Sequence, residues 1–337
     1  MLSLSSSYHP YRPPMRLTSH IGRVPAVAER ERNRNPADKS NMGFRSSAVG
    51  ILHHPQLLGP SQALSHAAHD YGLQVRDIDA GSLFTRMHRG GSFYVCDRDG
   101  RIEIAKLAPV SLPHLPSVAA AMSVLELNGA VAMNGLANTQ AADDKVRSSV
   151  ALAFRRVPQI PSVVVNTHDA WDVPIEKVGG YPFIAKLSVG PAGQFVRKLD
   201  TPDELSHVKA EFAAEGAHAA VLQPYIDEAC GRTRRVLVIG GRAFAWEQRV
   251  AAQGGWKTNL SVVGARQEEC DLSREERSLA TGAVAALGLG VAGVDIIHTR
   301  RGSAVLEVNS YPDFTRMLTV DASTVAHEVI ATLASLR

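Results

Sequence analysis

Two apolar runs near the C-terminal end, residues 294–298 and 304–308, constrain the fold of this chain more than any other feature. Both are β-type in composition, and Thr299-Arg300-Arg301-Gly302-Ser303 between them is a turn with a glycine available for positive φ. The pair predicts an antiparallel hairpin. A turn centred on Arg301 sets Asp295 and Glu307 opposite each other, with Cβ atoms about 4.5–5.5 Å apart. Asn309, two residues beyond Glu307, projects from the same face. Opposed like charges on an apolar hairpin destabilise it unless a cation offsets them. Spacing alone leaves two readings. Either the carboxylates are solvated on a sheet edge, or Asp295, Glu307 and Asn309 form a hard-oxygen site for Mg²⁺ or Mn²⁺, completed by phosphate oxygens and waters.

Upstream the pattern alternates. Strands are expected at 48–52, 73–78, 93–95, 102–107 and 130–133, with helices at 60–71 and 116–128 and a turn at Asp97-Arg98-Asp99-Gly100. Such alternation means an α/β layer on a parallel sheet, assigned here to residues 47–138. Further along, Thr201-Pro202-Asp203-Glu204 and Ser273-Arg274-Glu275-Glu276 are capping boxes that open helices to about 215 and 287. Gly240-Gly241 reads as the turn of a second hairpin. Residues 323–336 read as a closing helix.

Composition excludes several classes. The 337 residues are 45% hydrophobic and 20% charged, ordinary for a globular protein. The formal charge is +3, but residues 1–41 hold seven basic and three acidic side chains, so the other 296 residues carry −1. Residues 1–46 are assigned to a disordered basic tail or a mis-assigned start, and a nucleic-acid-binding body is not expected. No charge-free apolar stretch is long enough to cross a membrane. Cys96, Cys230 and Cys270 lie far apart, which fits a reducing, cytoplasmic setting and argues against a disulfide scaffold or zinc site. No HExxH occurs, and His53-His54 read as loop histidines. Gly288-Leu289-Gly290-Val291-Ala292-Gly293 matches the dinucleotide fingerprint in letters only. The fingerprint needs a strand before it and a helix after it, and here the order is inverted. Those glycines are expected to end a helix and permit close packing.

Read together, Leu287-Gly288-Leu289-Gly290-Val291-Ala292-Gly293-Val294-Asp295-Ile296-Ile297-His298, then Val305-Leu306-Glu307-Val308-Asn309-Ser310 and Pro312, resembles the C-terminal signature of ATP-grasp carboxylate–amine ligases of the RimK-like amino-acid ligase type. The resemblance runs from about residue 134 to 314, with several motifs in family order, and is weaker back to Pro113. It implies an α/β (α+β) ATP-grasp fold: an N-terminal Rossmann-like pre-ATP-grasp domain, a central lid domain over 139–220 and a C-terminal domain over 221–337 that carries the metal site. It also implies site residues. Lys145, after Asp144, and Lys186, in Phe183-Ile184-Ala185-Lys186, match the two ATP-binding lysines. Gly190 and Gly193 match the phosphate-covering loop. Gln223, Tyr225 and Ile226 match the adenine hinge. Arg235, Arg249, Lys257 and Asn259 match the active-site arginines and the substrate-positioning segment, with Arg235 facing substrate. ATP and Mg²⁺ (or Mn²⁺) are the implied cofactors, and homo-oligomers are common in the family.

The implied chemistry is an ATP-dependent ligation. A carboxylate is a poor acyl donor, and ATP converts it to an acyl phosphate that an amine attacks, giving an amide. The expected substrates are a small-molecule or peptide carboxylate and an amine, for example glutamate added to a small molecule, cofactor or peptide. The alternatives are a ligase modifying a precursor peptide and a non-catalytic ATP-binding regulatory protein. Several positions depart from the family. The glycine loop carries Pro191 and Phe195, the hinge has Pro224, Thr233 stands where an acid is usual, and Ser310-Tyr311-Pro312-Asp313 replaces Ser-x-Pro-Gly.

Overall fold

The computed structural model describes residues 47–54, 58–109, 115–190, 195–216, 218–259 and 264–337. The tail expected over 1–46 lies outside them. The chain begins with β1 (Val49–His53), α1 (Leu58–Asp70) and β2 (Val75–Asp79). It continues through β3 (Phe84–Met87), β4 (Phe93–Asp97), β5 (Gly100–Arg101), β6 (Lys106–Leu107), α2 (Pro116–Leu127) and β7 (Val131–Ala132). The order β2-β1-β6-β7 makes the expected parallel sheet. Two expectations change. The run 93–95 belongs to a separate antiparallel sheet, β3-β4-β5, and 102–107 contributes only its last two residues to the parallel one. β3 has no apolar alternation to reveal it, because Phe84 and Met87 are exposed. His53 ends β1, and its ring bonds the Asp77 carboxylate at 2.6 Å.

A second layer follows: α3 (Leu136–Asp143), α4 (Lys145–Phe154), β8 (Val163–Asn166), α5 (Asp172–Lys177), β9 (Phe183–Leu187), β10 (Val196–Leu199), α6 (Leu205–Ala214) and β11 (Ala219–Pro224). Its antiparallel sheet runs β10-β9-β11-β8. The boundary expected between residues 220 and 221 therefore falls inside β11, and the change of sheet comes after Pro224. Period-two patterning divides β9 between two jobs. Phe183, Ala185 and Leu187 join the core of this layer with Trp171 and Phe212, which turns Ile184 and Lys186 to the opposite face.

The last layer is β12 (Arg232–Ile239), β13 (Arg242–Val250), β14 (Arg266–Glu268), α7 (Arg274–Ala286), β15 (Val291–Thr299), β16 (Gly302–Asn309) and α8 (Ala322–Ser335). The sheet order is β14-β13-β12-β15-β16. The Ser273 box opens α7, and Gly288, at φ 65°, follows its end. Val236, Val238, Ala292, Val294 and Ile296 pack with α7 on one face. On the other, Leu237 and Ile239 share a core with α1, β1 and α8. Lys106 joins the first and last layers. Its ammonium donates to the carbonyls of Leu333 (2.9 Å), Ala334 (2.5 Å) and Leu336 (2.7 Å) at the C-terminal end of α8, where a cation complements the helix dipole.

Asn134 clamps the start of β15. Its amide nitrogen donates to the carbonyls of Val291 and Ser310, both at 2.8 Å. Its oxygen accepts from the N–H groups of Gly290 (2.7 Å) and Val291 (3.1 Å). The side chain is buried, so Asn134→Ala strands four backbone groups at once. The expected loss is about 2–4 kcal/mol of stability, checked by thermal or denaturant unfolding. A midpoint equal to that of the parent chain would count against the clamp.

Candidate active site

A cleft lies between the second and third sheets. Ile184 and Lys186 of β9, Val196 of β10, and Gln223 and Pro224 of β11 form one wall. Arg249 of β13, Asp295 and Ile297 of β15, and Leu306 and Glu307 of β16 form the other. Lys145, the first residue of α4, closes one end. Its position is fixed locally: Asp144 caps α4 by accepting from Val146 N (2.8 Å) and Arg147 N (3.3 Å), and Lys145 N donates to Ser188 O (2.8 Å).

The β15–β16 hairpin sets Asp295 opposite Glu307, by a route the sequence did not suggest. The turn is tighter than a loop centred on Arg301, because Thr299 pairs with Gly302. That register alone would oppose Asp295 with Leu306. A bulge between Val305 and Glu307 leaves Leu306 unpaired and restores the facing carboxylates. Bulges re-aim side chains next to functional sites, and here both Leu306 and Glu307 line the cleft.

Cations surround the carboxylates. Arg235 donates from Nε and Nη2 to the two oxygens of Asp295 at 2.5 and 2.6 Å. Lys145 Nζ is 3.9 Å from Glu307 Oε1. Burial pulls the Lys186 ammonium down to about 8; Glu307 opposes that shift and Lys145 adds to it. Arg249 donates to Glu247 at 3.0 Å. Burial, then the neighbouring Arg235, push its guanidinium below the usual arginine range. Glu247 is fully buried and also accepts from Gln267 Nε2 (2.9 Å) and Leu318 N (3.0 Å).

The far end is aromatic and basic. Lys198 Nζ sits 4.3 Å over the Tyr225 ring, Tyr225 meets Trp256 edge-on at 6.4 Å, and Lys257 lies 5.3 Å from Trp256. Burial and then Arg197 lower the Lys257 pKa. Thr233 donates to Thr258 at 2.9 Å, tying the 256–259 segment to β12. Ile160, Ile226 and Ile297 supply an apolar floor, and Gln223 donates to Ser162 at 2.9 Å.

The cleft thus gathers Lys145, Lys186, Gln223, Tyr225, Ile226, Arg249, Lys257, Asn259, Asp295 and Glu307. Four expected residues stand apart. Arg235 is behind Asp295 rather than in the lining. Asn309 pairs with Gly293 and donates its amide to Gly293 O at 3.4 Å, away from the lining. Gly190 is outside the cleft wall, with the Phe195 ring 3.1 Å from where a Cβ would be. Gly193 lies outside the described residues. Glu247 was missed, although its place two residues before Arg249 on a strand puts both on one face. Among the described residues no group of three or more His, Cys, Asp or Glu side chains is placed to hold a metal, so any cation here would rest on the Asp295–Glu307 pair. The donor chemistry fits a hard cation: the facing carboxylates of Asp295 and Glu307 both line the cleft.

Lys186 gives a pH prediction. Between pH 8 and the ordinary lysine value of 10.5, the unfolded chain keeps this proton and the native chain does not. Stability therefore rises with pH across that window. If Lys186 pairs a nucleotide phosphate, as its match to the family's ATP-binding lysine implies, nucleotide binding has the opposite slope, because deprotonation removes the cation. Without divalent metal, the Kd for ADP is expected to rise about tenfold per pH unit above 8, and Lys186→Arg should flatten the profile. Calorimetric titrations from pH 7 to 10 check this.

Comparison with known proteins identifies the family. A family model described as the RimK-like ATP-grasp domain matches residues 142–333. A probable alpha-L-glutamate ligase of Klebsiella pneumoniae (strain 342) is 31% identical over 295 residues, 84% of this chain and 94% of that protein. A ribosomal protein bS6–L-glutamate ligase of Escherichia fergusonii is 35% identical over 193 residues, 57% of this chain. The chain spans 64% of that relative's length, and 64% of the length of a probable alpha-L-glutamate ligase of Enterobacter sp. (strain 638). The crystal structure of a RimK-domain ATP-grasp protein from Sphaerobacter thermophilus superposes with a TM-score of 0.63 at 18% identity, covering 85% of this chain and 98% of that one. The fold is the ATP-grasp fold. The chain belongs to the RimK-like ATP-grasp family.

Proposed function

We propose that the chain is an ATP-dependent carboxylate–amine ligase that forms an amide through an acyl phosphate. The observation that carries this reading is the convergence of Lys145 and Lys186 with the facing Asp295 and Glu307 in one inter-sheet cleft. The two ammonium groups hold nucleotide phosphates as point charges. Backbone and side chains from Gln223 to Ile226, over the apolar floor, hold the base. Asp295 and Glu307 hold Mg²⁺ (or Mn²⁺), with Asn309 next along β16 as a third candidate. Mg²⁺ would neutralise charge developing on the transferred phosphoryl group. Arg249, preorganised by Glu247, holds the acyl phosphate and the oxyanion that forms when the amine attacks. Lys257 and Asn259 position a substrate carboxylate, and the central layer excludes water from the acyl phosphate.

The names of the relatives support glutamate, or another amino acid, as the amine component, and a peptide or small molecule as the acid. The free thiols Cys96, Cys230 and Cys270 suit a reducing cytoplasm. Among the described residues no helix is long and apolar enough to cross a membrane. The test is ADP and phosphate release with Mg²⁺, screened over amino acids and short peptides. Release that depends on one acid and one amine, with a product mass equal to their condensation, supports the ligase. Measurable ATP binding with no release over such a screen favours the regulatory alternative.

A further inference from the structure

Arg235 reaches the site because the sheet puts it there. It lies opposite Asp295 in the β12–β15 register. Gly293, two residues earlier on the same face, makes room for it: a Cβ there would lie 2.8 Å from Nη1 of Arg235. Both partners are buried, each 8% exposed, and the guanidinium fork takes both carboxylate oxygens. Across the hairpin, Glu307 has Lys145 at 3.9 Å, and Lys186 is close enough to feel both carboxylates. With Arg249 and its partner Glu247 counted, four cations therefore face three anions. A divalent cation arriving alone meets a pair that is already neutralised, with one positive charge in excess. A nucleotide changes the balance, because its phosphates bring negative charge to the lysines and supply further oxygen ligands.

We propose that Arg235 is a built-in counter-ion standing in for the divalent cation, so that Asp295 accepts a metal only when nucleotide phosphates enter with it. This rests on the metal reading of Asp295 and Glu307, and adds that loading is nucleotide-dependent and that Arg235 is the positioning residue responsible. Arginine suits the role because it stays charged and binds a carboxylate through two parallel bonds. A lysine would hold one oxygen and leave the other open.

The test reads metal affinity, not turnover. The full chain is titrated with Mn²⁺, and free ion is followed by electron paramagnetic resonance, with and without ADP. The parent chain should bind Mn²⁺ weakly alone and about tenfold or more tightly with ADP. Arg235→Met should bind Mn²⁺ alone about tenfold or more tightly than the parent, and adding Asp295→Asn to that variant should cancel the gain. Mn²⁺ should also raise the unfolding temperature of Arg235→Met but not of the parent. If Arg235→Met does not fold, Arg235→Lys carries the same comparison with a smaller gain. Equal nucleotide-free affinity in a folded variant and the parent, or a parent that binds Mn²⁺ equally well with and without ADP, overturns the counter-ion role alone. No Mn²⁺ binding to the parent with ADP, nor to the variant, overturns the metal reading itself and the counter-ion role with it.

Discussion

Glu307→Gln is expected to remove ADP release almost completely, by roughly 10²–10³-fold or more, while leaving the chain folded. Glu307 faces Asp295 across the hairpin, sits 3.9 Å from Lys145, and favours the charged form of Lys186. Glutamine keeps the shape and one oxygen but withdraws the charge. The side chain is partly exposed, so stability should change by only about 0.5 kcal/mol. Metal-free nucleotide binding should move the other way. With one anion gone, Lys145 faces ADP without its partner, and at a pH well below 8, where Lys186 keeps its charge without help from Glu307, affinity should hold or improve even as turnover is lost. That opposition is the diagnostic result, read by calorimetry with ADP beside a coupled ADP-release assay. Release at the parent rate would remove Glu307 from any metal role. Loss of release together with loss of ADP binding would mean that the cleft had collapsed.

Much of the fold was legible because its signals are local. The Ser273 box opens α7 where its spacing put it, Gly240-Gly241 joins β12 to β13 with both residues at positive φ, and the β15–β16 hairpin follows from two apolar runs and a turn. What stayed hidden depended on partners far away in sequence. Strand β3 carries no pattern, since its apolar side chains face out. The bulge at Leu306 is invisible in composition, so the right pairing was expected from a turn one residue too long. Arg235 resembled a substrate contact, but it lies opposite Asp295 in a register that only the folded sheet defines. Glu247 could have been suspected from alternation with Arg249, yet its burial comes from Gln267 and the Arg316–Leu318 backbone, which no local rule brings there.

Arg249 and Glu247 give the second large effect, and two variants separate its parts. Arg249→Met removes the guanidinium proposed to hold the acyl phosphate and the oxyanion, so ADP release coupled to amide formation should fall roughly 10²–10³-fold. It also leaves the carboxylate of Glu247, fully buried, without its cation. Breaking a buried pair from one side costs about 3–5 kcal/mol, which should lower the unfolding temperature by several degrees. Activity lost in this variant alone is therefore ambiguous. Adding Glu247→Gln removes the stranded charge while an amide of the same shape still accepts from Gln267 and Leu318 N, so most of the stability should return. The catalytic loss should not. Unfolding temperature and ADP release, measured on the parent, on Arg249→Met and on the double variant, then divide the two contributions: recovery of stability without recovery of release places Arg249 at the reacting group, whereas recovery of both would make it a structural partner of Glu247 and leave the oxyanion to Lys257 and Asn259.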